Sequence, residues 1–223
     1  MLSKWQSTLS ELEPLSQVKL SLCYFTEKEL EPSTIQLHSF SDASRQAYAA
    51  TVYLRSEWDG MRVQVELVAS KTKVAPLKKQ SIPRLELLAA TILARLMNTV
   101  QTSLPSEIKN FYWTDSTNAL CWITNNKPWK QYVQHRVQEI RQQSPKKRRY
   151  FPGPETPADL PSRGLNGNDL VNCKLWCNGP EFLRKPECEW PEYSTLHSLN
   201  ETSAKKNDQT TANCYPFPRT RGS

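Results

Sequence analysis

Apolar and polar positions alternate with a period of two in two adjacent runs near the start of the chain. His38, Phe40 and Asp42 share one parity and Leu37, Ser39 and Ser41 the other. Then Ala47, Ala49, Thr51 and Tyr53 alternate with Tyr48, Ala50, Val52 and Leu54. This pattern predicts strand, short turn, strand. With "VQVELVAS" it predicts three successive strands over 34–42, 47–55 and 61–70. The last two are joined by "EWDGMR", whose Asp59-Gly60 is a hairpin signal. The period then changes. Leu85, Leu88, Ala89, Ile92 and Leu96 form an apolar stripe at helical spacing. Pro83 suits the first turn of that helix and Pro105 ends it. "IKNFYWT" (108–114) reads as a strand buried on both faces. Ser116, Thr117 and Asn118 favour a helix start after Asp115. A further helix is expected over 129–143, a short strand at "RRYFPG", and a turn into a short helix at "TPADLPSRG".

The order is three antiparallel strands, a helix, a strand, helices, then a fifth strand and a helix. It predicts an α/β fold: a mixed five-stranded sheet flanked by helices. Upstream, residues 1–32 read as a helical start followed by a possible strand, "VKLSLCYF" (18–25). Beyond about Gly179 the periodicity dissolves, and residues 194–223 are polar and expected to be disordered.

Composition narrows the class. The chain has 223 residues, enough for one sizeable core with extensions. Hydrophobic residues make up 38 % and Pro (16) outnumbers Gly (6), which fits a globular centre with poorly ordered ends. The net charge of +7 points to an acidic partner, of which nucleic acid is the commonest. "MLSKWQSTLSELEPL" lacks the apolar core of a secretory signal. No stretch approaches the ~20 apolar residues of a membrane span. An intracellular protein with no membrane partner is therefore expected, with Cys23, Cys121, Cys173, Cys177, Cys188 and Cys214 as reduced thiols. Cys173, Cys177 and Cys188, with His197, are too irregularly spaced to predict zinc.

Four carboxylates stand at element ends. Asp42 closes the first strand, Glu86 lies early in the long helix, Asp115 follows the buried strand, and Asp159 lies in the last short helix. Each has a local use as a turn or helix-terminus acid. Their joint placement is more specific. If the first and fourth strands are neighbours, Asp42 and Asp115 emerge at one sheet edge, and a helix packed over the sheet brings Glu86 alongside. Converging carboxylates repel one another. Hard divalent ions relieve that repulsion, and oxygen-only ligands select Mg²⁺ or Mn²⁺. Two such ions about 4 Å apart support phosphodiester cleavage.

"FSDAS", "LELLAA", "YWTDST" and "PADLPSRG", in this order and on these elements, resemble the type 1 ribonuclease H fold. With "SKTKVAPLKKQSIPRLELLAA", "TDSTNALCWI" and "CNGPEFL", the chain resembles more narrowly the ribonuclease H region of Pao/BEL-type retrotransposon polyproteins over roughly 34–190. The resemblance implies metal-dependent cleavage of RNA within an RNA–DNA hybrid, with two Mg²⁺ ions (Mn²⁺ as a substitute) held by Asp42, Glu86, Asp115 and Asp159. It also implies an organisation: 1–32 as the end of a preceding reverse transcriptase region, 33–165 as the ribonuclease H-like domain, 166–193 as a family-typical extension, and 194–223 as a tail leading towards an integrase. Reverse transcriptase or integrase regions of the same element are then expected partners. One departure stands out. Many ribonucleases H carry a His in the loop before the last Asp, whereas "FPGPETPAD" has none, so slow turnover is expected. Thr156 also stands where the family typically has Asn.

Basic and aromatic residues suggest where a hybrid would lie. "KTKVAPLKK" (71–79) contributes Lys71 and Lys73, and "NNKPWKQYVQHR" (125–136) contributes Lys127, Trp129 and Lys130. Lys neutralises phosphates and aromatics stack on bases. The alternative for 125–136 is a core-packing aromatic flanked by solvated lysines. Ser44 and Ser116, beside two of the acids, are further contact candidates. "KKRR" (146–149) reads as a solvated turn. Two rival functions remain on this reading: a nucleic-acid-binding remnant without turnover, and an accessory subunit to a reverse transcriptase supplied in trans. An aspartic protease is excluded, because neither "SDAS" nor "TDST" has the Gly of the D-T/S-G triplet.

Overall fold

The computed structural model describes residues 6, 9–17, 32–59, 62–104, 108–144, 148–151 and 155–191. The possible strand at 18–25, Gly60, Pro105, Lys146, Lys147, Cys23, Cys214, His197 and the tail 194–223 lie outside the described residues.

Five strands form one sheet: β1 (Thr34–Ala43), β2 (Ala47–Trp58), β3 (Arg62–Val74), β4 (Lys109–Thr114) and β5 (Arg148–Tyr150), in the order β3-β2-β1-β4-β5. The first three are an antiparallel meander, and β4 joins β1 in parallel, with β5 parallel to β4. The five strands predicted for the sheet are all present. β2 and β3 run longer than their alternation indicated, and β3 continues through Lys71 and Lys73 because its outer positions pair with Ala47–Ala50 of β2. The helices are α1 (Ile82–Thr102), α2 (Thr117–Thr124), α3 (Gln131–Gln143), α4 (Asp159–Arg163), α5 (Gly167–Val171) and α6 (Lys174–Asn178). Single 3₁₀ turns follow at Glu181–Arg184 and Glu187–Glu189. Residues 9–12 are helical, leading into a 3₁₀ turn at Glu13–Gln17.

Helix α1 is the pivot of the packing because it buries two faces. Leu85, Ala89, Ile92, Leu93 and Met97 pack on one side of the sheet with Leu37, Val52, Leu54 and Tyr112. Leu87, Ala90 and Ala94 pack against α2 and α3, meeting Trp122, Val137 and Ile140. That double burial explains why so much of the helix is Leu, Ala and Ile.

The opposite sheet face is covered by the part of the chain in which periodicity dissolves. Phe40, Tyr53, Val65 and Trp113 share a core with Phe151, Ala158, Phe182, Leu183 and Trp190. The cover is pinned by backbone acceptors. The Tyr53 hydroxyl donates to the Trp176 carbonyl at 2.9 Å, and Arg55, 2 % exposed, donates through Nε to the Leu183 carbonyl at 2.7 Å. Trp190 meets the sheet edge-on, against His38, Phe111 and Trp113. Short 3₁₀ turns have no stripe of their own, so their order comes from this docking.

Removal of Trp190 tests the cover. Trp190→Ala is expected to cost about 3–5 kcal/mol of unfolding free energy in urea titration. A chain ending at residue 165 is expected to show no cooperative thermal transition by circular dichroism.

Candidate active site

Strand register brings the first two acids together. Phe40 stands opposite Trp113, and Ser41 opposite Thr114, in the parallel pair. One position further along each chain are Asp42 and Asp115. Neighbouring strands lie about 4.8 Å apart. Both carboxylates therefore leave the sheet at the carboxyl ends of its two central parallel strands, where open α/β sheets place their ligands. Asp42 remains within β1, paired with Ala49 of β2.

The other two acids come from helices. Ser116, directly after Asp115, is the N-cap of α2 and accepts from the Ala119 N–H at 3.0 Å. The same hydroxyl donates to Glu86 Oε2 at 2.5 Å, tying the start of α1 to the end of β4. Asp159 opens α4, and its N–H donates to the Thr156 carbonyl at 3.0 Å. Its carboxylate pairs with the Arg163 guanidinium one helical turn on. Ser162, on the same helix, donates to Asp42 Oδ2 at 2.7 Å.

The electrostatics register the convergence. Burial pushes Asp115 up to about 7, and the charges of Asp42, Glu86 and Asp159 add to the rise. Burial also raises Asp42, with Asp159 adding and the Ser162 hydroxyl opposing. Glu86 is raised by burial and by Asp42, against the Ser116 hydroxyl. Four carboxylates thus share one region of field, and the Arg163 guanidinium pairs with Asp159.

Among the described residues, no three His, Cys, Asp or Glu side chains already stand in an arrangement that holds a metal ion. Three of the four acids spend an oxygen on Ser162, Ser116 or Arg163. The site nonetheless fits the expected ion chemically. Its donors are all carboxylate oxygens, and Asp115 Oδ1 is buried with no hydrogen-bond partner. A hard divalent cation is the partner such a set calls for. The described cysteines, Cys121, Cys173, Cys177 and Cys188, are free thiols.

The basic residues divide by position. Lys71 and Lys73 are exposed and pair with Ala50 and Tyr48, which belong to the core under α1. Cross-strand partners share a face, so both lysines stand on the α1 side of the sheet. On that side Arg84 and Arg136 lie over the Tyr132 ring, at 4.9 and 3.6 Å from its centroid. Lys127 and Lys130 are exposed in the segment between α2 and α3. Trp129, between them, is half-buried against the α1–α2–α3 core, and its indole N–H donates to the Trp122 carbonyl at 3.2 Å. The core-packing alternative describes it better than a free stacking ring. The Ser44 and Ser116 hydroxyls are likewise turned inward, Ser44 donating to the Ser162 carbonyl at 2.5 Å. Ser116 thereby bonds an acid directly, and Ser44 bonds the residue that holds Asp42.

Ser162, Arg163 and Arg84 were not singled out in the sequence. For the first two a signal existed: they follow Asp159 by three and four positions, one helical turn. For Arg84 there was none, since its partner ring comes from α3.

The raised Asp115 value sets a pH dependence. Between its ordinary 3.8 and about 7, the folded protein holds a proton that the unfolded chain has released. Without metal, this contribution to stability is therefore present at low pH and lost as pH rises through that window. Buried His38, held well below 6.5, acts in the opposite sense, costing stability as pH falls below 6.5. The difference between the wild type and Asp115→Asn cancels the His38 contribution and reads Asp115 together with its coupling to Asp42 and Glu86. In urea titrations with EDTA, the variant is expected to gain on the wild type progressively from pH 4 to pH 8. A constant difference would assign Asp115 an ordinary value.

Comparisons with known proteins place the chain. No curated protein matches it. Among solved structures, RNase H1 from the halophilic archaeon Halobacterium salinarum NRC-1 is similar at 14 % identity, with 62 % of this chain and 99 % of that one covered and a TM-score of 0.39. LC9-RNase H1, a type 1 RNase H with the type 2 active-site motif, is similar at 12 % identity over 86 % and 92 %, TM-score 0.39. LC11-RNase H1, solved in complex with an RNA/DNA hybrid, is similar at 10 % identity over 56 % and 91 %, TM-score 0.37. A family model matches residues 1–116, which include Asp42, Glu86 and Asp115 and stop short of Asp159. On that match, over just more than half of its length, the chain belongs to the Pao retrotransposon-like RNaseH-like domain family.

Proposed function

We propose that this domain hydrolyses the RNA strand of RNA–DNA hybrids, as a retrotransposon-derived endonuclease dependent on Mg²⁺, with Mn²⁺ as a substitute. The observation that carries the reading is Asp115: a half-buried carboxylate whose Oδ1 is buried and unpartnered, raised by desolvation and by three neighbouring acids. Nothing in the packing of the fold needs an acid there. Asp42, Glu86, Asp115 and Asp159 would hold two ions. When bound, such ions supply an activated water and stabilise the leaving oxygen of a phosphodiester.

The chain's own residues supply the rest. The strand ends fix Asp42 and Asp115 on rigid elements, which keeps them within the narrow tolerance such chemistry needs. Lys71 and Lys73, on the α1 side, offer cations to a phosphate backbone. The loop before Asp159 carries no His, and its one titratable side chain is Glu155. Reverse transcriptase or integrase regions of the same element are the natural partners in a polyprotein.

A second reading, hybrid binding without turnover, is favoured by one observation: Arg163 already occupies Asp159. Cleavage of a labelled hybrid separates the two. RNA cuts are expected in Mg²⁺ or Mn²⁺, none in EDTA, and a loss of more than about 100-fold in Asp115→Asn. Binding without cuts in either metal would support the second reading. Replacing Lys71 and Lys73 by Ala is expected to weaken binding across all hybrid sequences and to flatten its salt dependence by about one unit of slope per lost phosphate contact.

A further inference from the structure

Ser162 lies at the junction of three elements and is 1 % exposed. Its Oγ is 2.7 Å from Asp42 Oδ2 and 3.1 Å from the Asp159 carbonyl. A hydroxyl has one proton to give, and the carboxylate is the nearer and stronger acceptor. The Ser162 carbonyl in turn accepts from the Ser44 hydroxyl at 2.5 Å. Ser44 sits two residues after Asp42 in the β1–β2 turn, which is closed by its N–H donating to the Ala47 carbonyl at 2.8 Å. Its Oγ also accepts from the N–H groups of Gln46 and Ala47, at 3.0 and 3.2 Å.

These bonds close a ring. It runs from the Asp42 carboxylate to the Ser162 side chain, through the Ser162 carbonyl to Ser44, and back along the chain to Asp42. Helix α4 has only five residues, too few to hold itself in place. Gly164, at φ +89°, ends it immediately after Arg163. Its register against β1 is therefore set by the ring, and Asp159 is carried on the same turn of helix.

We propose that Ser162 is a positioning residue that orients Asp42 and docks α4, so that Asp42 and Asp159 are presented together to a divalent cation. The proposal rests on the metal-binding part of the function proposed above. One hydroxyl uses one of the roughly four acceptor sites of a carboxylate and leaves the others for the ion.

The test is Mn²⁺ binding by the full chain, read from the electron paramagnetic resonance signal of free Mn²⁺, with cleavage of the labelled hybrid measured in parallel. Ser162→Ala is expected to bind Mn²⁺ about tenfold more weakly. Ser162→Thr, which restores the hydroxyl, is expected to stay within about twofold of wild type. A role in stability alone would lower the melting temperature of Ser162→Ala and leave its Mn²⁺ affinity unchanged, which would overturn the proposal. If Ser162→Ala shows no cooperative melt, Ser44→Ala decides, with about threefold weaker binding expected and unchanged binding as the overturning result. A wild type that takes up Mn²⁺ without cutting would sink the hydrolase reading and leave the role of Ser162 to the variants. A wild type that takes up no Mn²⁺ would overturn both.

Discussion

Parallel pairing of β1 with β4 is the contact on which the rest of the molecule depends. It joins an antiparallel meander to a strand that arrives only after the long helix α1. It therefore requires α1 to cross one sheet face, and α1 fills that face with Leu85, Ala89, Ile92, Leu93 and Met97. The same pairing sets Asp42 and Asp115 one residue beyond the last paired positions, Ser41 and Thr114. A slip of one residue would turn one of the two to the other sheet face. Core packing and acid placement are thus consequences of one register.

Concentrating carboxylates at such an edge is costly, and the fold offsets the cost only in part. Ser162 and Ser116 each give a hydroxyl to an acid, and Arg163 gives a cation to a third. Asp115 receives no donor on Oδ1 and takes the largest consequence, rising to about 7. Residual electrostatic strain of this kind is what a divalent ion relieves.

The site was legible as a set of positions before it was legible as a place. Asp42 and Asp115 could be singled out because each ends a strand of clear pattern, and Glu86 because it interrupts a run of Leu and Ala. Their supports were not visible in the same way. Ser162 reaches Asp42 across 120 residues of chain, and Ser116 reaches Glu86 across 30. Such pairings have no local periodicity. Trp129 illustrates the converse. Its basic neighbours suggested a stacking surface, yet its ring found a hydrogen-bond acceptor and a core in Trp122 and its surroundings.

Local pattern by itself determined the five strands of the sheet, the long helix with one apolar stripe and the positions of the four acids, because period-two and period-3.6 patterns are written in nearest-neighbour terms. It left residues beyond Gly179 without structure, although Phe182, Leu183 and Trp190 complete the core on the second sheet face. Those residues have no regular spacing to read. They are ordered by the surface they cover, and that surface of Phe40, Tyr53 and Trp113 exists only once the sheet has formed. Tertiary structure alone decided which serine holds Asp42 and which holds Glu86, because each bond depends on elements distant in sequence coming into contact.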